Sequence, residues 1–174
     1  SNYNVVKYNE RTSKNQSPFY GEIAYNDKYV YFYQGVSLSN WSTSVPAIPY
    51  DGHKFNSSEA LFMYLKCKGF GSEKIAEKIV ATDNDDSLQG NAKYDAVKEL
   101  GRKAKFNKAI YFEKREEWMY IALNAKYEVD EEFRKTLMDE RDKGKTFVEA
   151  SDSDDIWGIG SYITDEVMAF NEDV

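Results

Sequence analysis

The chain has 174 residues, 41% hydrophobic and 30% charged, which suits a single globular domain with a sizeable core and excludes a membrane-spanning class. The net charge of −7 excludes broad coating of nucleic acid, whose affinity rests on many basic contacts to phosphate. No run of about 18 apolar residues and no secretory leader is read, and the single cysteine, Cys67, cannot close an internal disulfide, so a cytoplasmic protein without membrane insertion is expected.

The first 28 residues read as a polar extension, only partly ordered. Tyr29 to Tyr33 is rich in aromatic and β-branched residues and is followed by Gly35, which predicts a strand. Leu38-Ser39-Asn40-Trp41-Ser42 sets short polar side chains beside an indole, either a turn with a core Trp or a surface for ribose hydroxyls and a base edge. Val45 to Tyr50 and His53 to Phe55 flank Asp51-Gly52, which predicts a hairpin. Asn56 then predicts the cap of a helix over about Ser57 to Lys68, with Glu59 as the acidic partner of a capping box and Gly69 as terminator.

Further helices follow. Ser72 predicts a cap for Glu73 to Val80, with Ile75, Ile79 and Val80 as the apolar stripe, and Asp83 to Asp86 reads as an acidic loop. Ala92 to Lys103 is a third helix, and Lys108 to Tyr127 the longest, with Ile110, Tyr111, Trp118, Ile121, Ala122 and Ala125 recurring at three and four. Asp130 caps a fifth helix to Arg141, Thr146 to Glu149 is a short strand, and Thr164 caps a last helix through Phe170. The fold class expected is α+β and mainly helical: one compact domain over residues 1–174 with a small sheet or hairpin.

Four pieces could carry chemistry. Glu59, Phe62, Met63 and Lys66 share one helix face, with Glu59 and Lys66 about 10.5 Å apart in rise, able to converge on one ligand. The blander readings are a cap for Glu59 and a solvated lysine for Lys66. The Asn40-Trp41 turn is the second piece. In the third, Gly101-Arg102, the guanidinium either forks onto a phosphate or is plainly exposed, and the surrounding cluster Arg102, Lys103, Lys105 and Lys108 reads most simply as a solvated helix end. The fourth is Asp154-Asp155-Ile156-Trp157-Gly158-Ile159-Gly160, either a loop with a core Trp or a pocket wall with a stacking indole, carboxylates and closely approaching backbone.

Several chemistries drop out. His53 is the only histidine and Cys67 the only cysteine, so no zinc site, histidine triad or Cys-His dyad can be built. Neither a phosphate-binding Gly-rich loop nor a dinucleotide fingerprint occurs. No cofactor and no metal are expected, although Asp152, Asp154 and Asp155 together are donors that a hard cation accepts.

In order along the chain, Leu38-Ser39-Asn40-Trp41, Phe55-Asn56-Ser57-Ser58-Glu59 with Lys66 seven residues on, Phe70-Gly71, Gly101-Arg102, Met119 to Tyr127, Phe147-Val148-Glu149 and Asp154 to Gly160 together resemble the NADAR family, also called YbiA-like. The likeness runs from about Tyr31 to Gly160. It implies a compact, mainly helical α+β domain and an N-glycosidase that cleaves a base or amine from a ribose phosphate. The substrate would be a riboflavin-pathway intermediate or ADP-ribosylated guanine in nucleic acid; a non-catalytic ADP-ribose-binding module is the other reading.

Carried onto this chain, the resemblance marks Glu59, Lys66 and Asp154 as catalytic, and Asn40, Trp41, Arg102, Lys126, Glu149, Trp157 and Gly158 as substrate-binding. The spacing to Trp157 selects Asp154 over Asp152 and Asp155. The chain departs from the pattern at Tyr111, where a Trp is usual, at Tyr127, where Phe is usual, and at Leu65 and Cys67, which flank Lys66 in place of Gln and Ala.

Overall fold

The computed structural model describes residues 4–5, 23–25, 29–32, 37–141 and 146–149. The expected Thr164 to Phe170 helix lies outside them. In chain order the elements are strands β1 (Asn4–Val5), β2 (Ile23–Tyr25), β3 (Tyr29–Phe32), β4 (Ile48–Tyr50) and β5 (His53–Phe55), helices α1 (Ser58–Gly69), α2 (Glu73–Asp83), α3 (Gly90–Lys103), α4 (Lys108–Val129) and α5 (Glu131–Arg141), and strand β6 (Thr146–Glu149). The fold is α+β and mainly helical. Among the described residues no helix is long and apolar enough to cross a membrane.

Two compact units are distinguished, one formed by Ser1–Ser42 with Glu132–Val174 and the other by Thr43–Glu131. In the first, a four-stranded sheet has the order β1-β2-β3-β6. Neighbours β1, β2 and β3 pair antiparallel, and β6 runs parallel to β3 with Glu149 opposite Phe32. Strands β1 and β2 fall inside the stretch expected to be a polar extension. At two and three residues they are too short to show a period of two, and they exist by pairing towards β3, a non-local term.

In the second unit, the β4–β5 hairpin turns on Asp51 and Gly52 at φ 51° and 73°, both in the left-handed region that a tight two-residue turn requires. Ile48 and Phe55 are fully buried. The turn is tied to α1, because Tyr64 donates its hydroxyl to the Asp51 carboxylate at 2.5 Å and its ring meets those of His53 and Phe55.

Helix α1 begins one residue later than Asn56 predicts. Ser57 is the cap, its hydroxyl accepting from the Ala60 N–H at 3.1 Å, so the expected Asn56–Glu59 capping box does not form. Asn56 is engaged elsewhere: its backbone N–H donates to the Asp83 carboxylate and its side-chain amide to the Asp83 carbonyl, both at 2.7 Å. The same contact extends α2 past Val80 to Asp83, which is buried rather than part of a solvated acidic loop.

Burial pushes the Asp83 pKa up, against the opposing pull of the Asn56 hydrogen bonds. With the folded pKa above the unfolded one, this group's contribution to stability is greatest at low pH. It declines as pH rises through the carboxylate range. Asp83→Ala strands the Asn56 donor and is expected to lose about 1–3 kcal/mol in urea denaturation. Asp83→Asn keeps an acceptor, so it is expected to lose less and to remove the decline with pH.

The stop of α1 is also displaced. Gly71, at φ 74°, supplies the left-handed turn, the Gly71 N–H donating to the Lys68 carbonyl and the Ser72 N–H to the Cys67 carbonyl. Gly69 is instead the place where the Trp118 indole of α4 lies directly on α1. Trp118 also meets the rings of Phe62 and Phe70, so the α1–α4 seam is aromatic. Helix α1 packs on α2, α3 and α4, and α3 also packs on α2, which makes α1 the centre of this unit. Buried Leu61, Ile79 and Val97 form part of its core.

Candidate functional site

The hairpin, the Ser57 cap and the Asn56–Asp83 contact fix where α1 starts. Glu59 is thereby set in its first turn and Lys66 in its last. Both are half-buried and lie on one face. Of the two residues between them, Phe62 turns to Trp118 of α4 while Met63 turns to the last turn of α3.

The approach of α3 depends on Gly101. A Cβ there would lie 2.8 Å from Met63 Sδ and 3.6 Å from Lys66 Nζ, so alanine already pushes on Met63 and comes into contact with the Lys66 amine, and a branched residue crowds both. Gly101 is buried inside a helix, where glycine costs about 1 kcal/mol relative to alanine. The cost is offset by letting the Lys66 amine sit against α3. Gly101→Val is expected to displace Lys66 and to lower the melting temperature through overpacking of about 1–3 kcal/mol; Gly101→Ala should do less, because Met63 is flexible.

This packing sets the electrostatics. Burial lowers the Lys66 pKa from the ordinary lysine value and the Arg102 cation adds to the lowering, whereas Cys67 and the Glu59 carboxylate work against it. An amine with a lowered pKa is a weaker base, but a larger fraction of it is neutral at a given pH and so available as a nucleophile. Cys67, the neighbouring core residue, has its thiol pushed up by burial, which keeps it protonated and unreactive.

The structure therefore brings Glu59, Lys66 and Arg102 into one electrostatic neighbourhood. Lys126, in the last turn of α4, belongs to the same unit and is fully buried, a costly place for an ammonium group. Asn40 and Trp41 lie in the other unit, in a turn where the Ser42 N–H and hydroxyl both donate to the Ser39 carbonyl and the Trp41 N–H donates to Ser39 Oγ. Glu149 closes β6. Asp154, Trp157 and Gly158, together with Asp152 and Asp155, lie outside the described residues.

Gly101 itself was legible only as a neighbour of Arg102. The signal for its role is a glycine inside a helical pattern, which marks a close approach. No sequence signal points from Asn56 to Asp83, 27 residues on.

Comparison with known proteins now bears on this arrangement. A family model described as the NADAR domain matches residues 24–172. Protein irg-1 of Caenorhabditis elegans is 36% identical over 110 residues, 62% of this chain and 47% of that protein. The chain thus spans about half the length of that curated relative. The NMR structure of the Escherichia coli protein YbiA is similar at a TM-score of 0.55 and 26% identity, over 77% of this chain and 73% of that one.

Proposed function

We propose that this chain, which belongs to the NADAR family, is an N-glycosidase that releases an amine or base from a ribose phosphate, with Lys66 as a covalent nucleophile. The family is one of N-glycosidase type, and the observation that carries the finer reading is the Lys66 amine. It is half-buried between α1 and α3, with its pKa lowered by that burial and Glu59 acting on it from the same helix face.

The chemistry follows from the bond. An amine on the anomeric carbon can push its lone pair inward and expel the ring oxygen, which takes a proton from a carboxylic acid, leaving an open-chain iminium ion. The neutral Lys66 amine adds to that carbon and passes a proton to the departing nitrogen. The C–N bond to the leaving amine then breaks, and the carbon is held as a protonated Schiff base on Lys66. Water adds, a carboxylate takes its proton, and the lysine is expelled with formation of the sugar aldehyde. One water is consumed and one amine released.

Glu59 is the proton carrier available on α1. Asp154 is assigned as its partner by the family resemblance, as are substrate-binding roles for Asn40, Trp41, Arg102, Lys126, Glu149, Trp157 and Gly158. Arg102 suits a phosphate oxygen through its forked donors. A pyrimidine-amine ribose phosphate of the riboflavin pathway and guanine ADP-ribosylated at its exocyclic amine present the same amine-bearing carbon.

A panel of both compounds, free and in oligonucleotide form, with released base detected by mass, tests the reading. Stoichiometric release from one of them is expected. Tight binding of ADP-ribose with no release from any would instead make the chain a binding module.

A further inference from the structure

We infer that the first two turns of α4 and the loop before them form a docking surface for single-stranded nucleic acid. Between Arg102 and Arg115 the chain carries six basic residues and one acidic residue, Glu113, in a protein of net charge −7; Lys103 pairs with Glu99 and Lys114 with Glu117, which leaves Arg102, Lys105, Lys108 and Arg115 outside those ion pairs. Arg102 and Lys103 close α3, where cations suit the helix dipole. That account fails for Lys108. It sits in the first turn of α4, which has no acidic residue, where the dipole opposes a cation.

Aromatic rings are interleaved with these charges. Phe106 is 60% exposed and Phe112 53% exposed, unusual for large apolar side chains. Lys108, Tyr111, Phe112 and Arg115 stand at i, i+3, i+4 and i+7, one face about 10.5 Å long. Their contacts bear this out: the Arg115 guanidinium lies 4.6 Å from the centre of the Phe112 ring and Lys108 Nζ lies 5.8 Å from it. Phe106 extends the row, its ring 5.4 Å from that of Tyr111 and 5.6 Å from that of Phe70.

Cations alone would serve an acidic peptide or a duplex backbone. Exposed rings held among cations match a single strand, whose unpaired bases stack on aromatic faces while its phosphates meet the lysines and arginines. The patch is local, so it accords with a chain too acidic to coat nucleic acid generally. The inference does not rest on glycosidase chemistry and is tested without turnover.

The test is fluorescence anisotropy of the full chain with a labelled oligothymidylate of about twelve nucleotides at low ionic strength, followed by a salt titration. Salt-dependent binding is expected, weakened roughly five- to a hundredfold by Phe112→Ala or Phe106→Ala through lost stacking. Lys105→Glu, which keeps both rings in the chain, should weaken binding and flatten the salt slope by about one phosphate contact. An oligonucleotide that does not bind the wild-type chain overturns the inference. So does unchanged affinity in both Phe112→Ala and Lys105→Glu, or equal displacement of the strand by polyglutamate, which would leave a charge-only site.

Discussion

Glu59→Gln is expected to slow amine release by about 10²–10⁴-fold, the range that a positioned proton carrier supplies, while leaving the fold intact. The second half of that expectation follows from the Ser57 cap. Had Glu59 closed a capping box with Asn56, its loss would have taken a hydrogen bond from the start of α1. Because Ser57 holds the Ala60 N–H, neutralising Glu59 leaves the cap of α1 in place and removes a first-turn carboxylate, worth about 0.3–1 kcal/mol and up to about 2 kcal/mol where partly buried. Parallel measurement of turnover and urea stability separates the roles. A stability loss well above that range with little change in turnover would make Glu59 structural.

Lys66→Met is expected to have an effect of the opposite kind on stability and a larger one on rate. The wild-type ammonium is disfavoured by burial, so an apolar chain of similar length should melt no lower than the wild type. Turnover should fall by more than loss of a proton carrier alone would cause, because the covalent route is closed. The wild-type rate should rise with pH as Lys66 loses its proton, with its midpoint below the ordinary lysine value, since burial lowers the pKa. Arg102→Met removes the cation that adds to this lowering and should move the profile to higher pH. A profile unmoved by that exchange, with full activity in Lys66→Met, would show that the lysine is a bystander.

Much of the helical architecture was legible in the chain because local signals dominate it. The three-and-four spacing along Lys108 to Tyr127 fixes α4 without reference to anything distant, and the structure adds a local cap at Asn107. Asp51-Gly52 fixes the hairpin for the same reason. Errors arose where a distant partner decided the outcome. Asn56 and Ser57 are both good caps, and only the contact of Asn56 with Asp83 selects Ser57. Gly69 and Gly71 are both plausible terminators, and only the Trp118 indole shows what Gly69 is for.

The candidate site divides along the same line. Glu59 and Lys66 on one face could be read from a spacing of seven. The apolar neighbours Phe62 and Met63 also made a lowered Lys66 pKa an expectation, but not its source, the closing of α3 over α1 at Gly101. The exposure of Phe106 and Phe112 was equally hidden, since a large apolar ring is ordinarily taken as core.

The covalent role of Lys66 is tested most directly by borohydride reduction during turnover, followed by intact-mass measurement. The account predicts an added mass equal to the released sugar less one water plus two hydrogens, mapped by digestion to the peptide containing Lys66 and missing in Lys66→Arg. Continued hydrolysis with no adduct under the same reduction would contradict it.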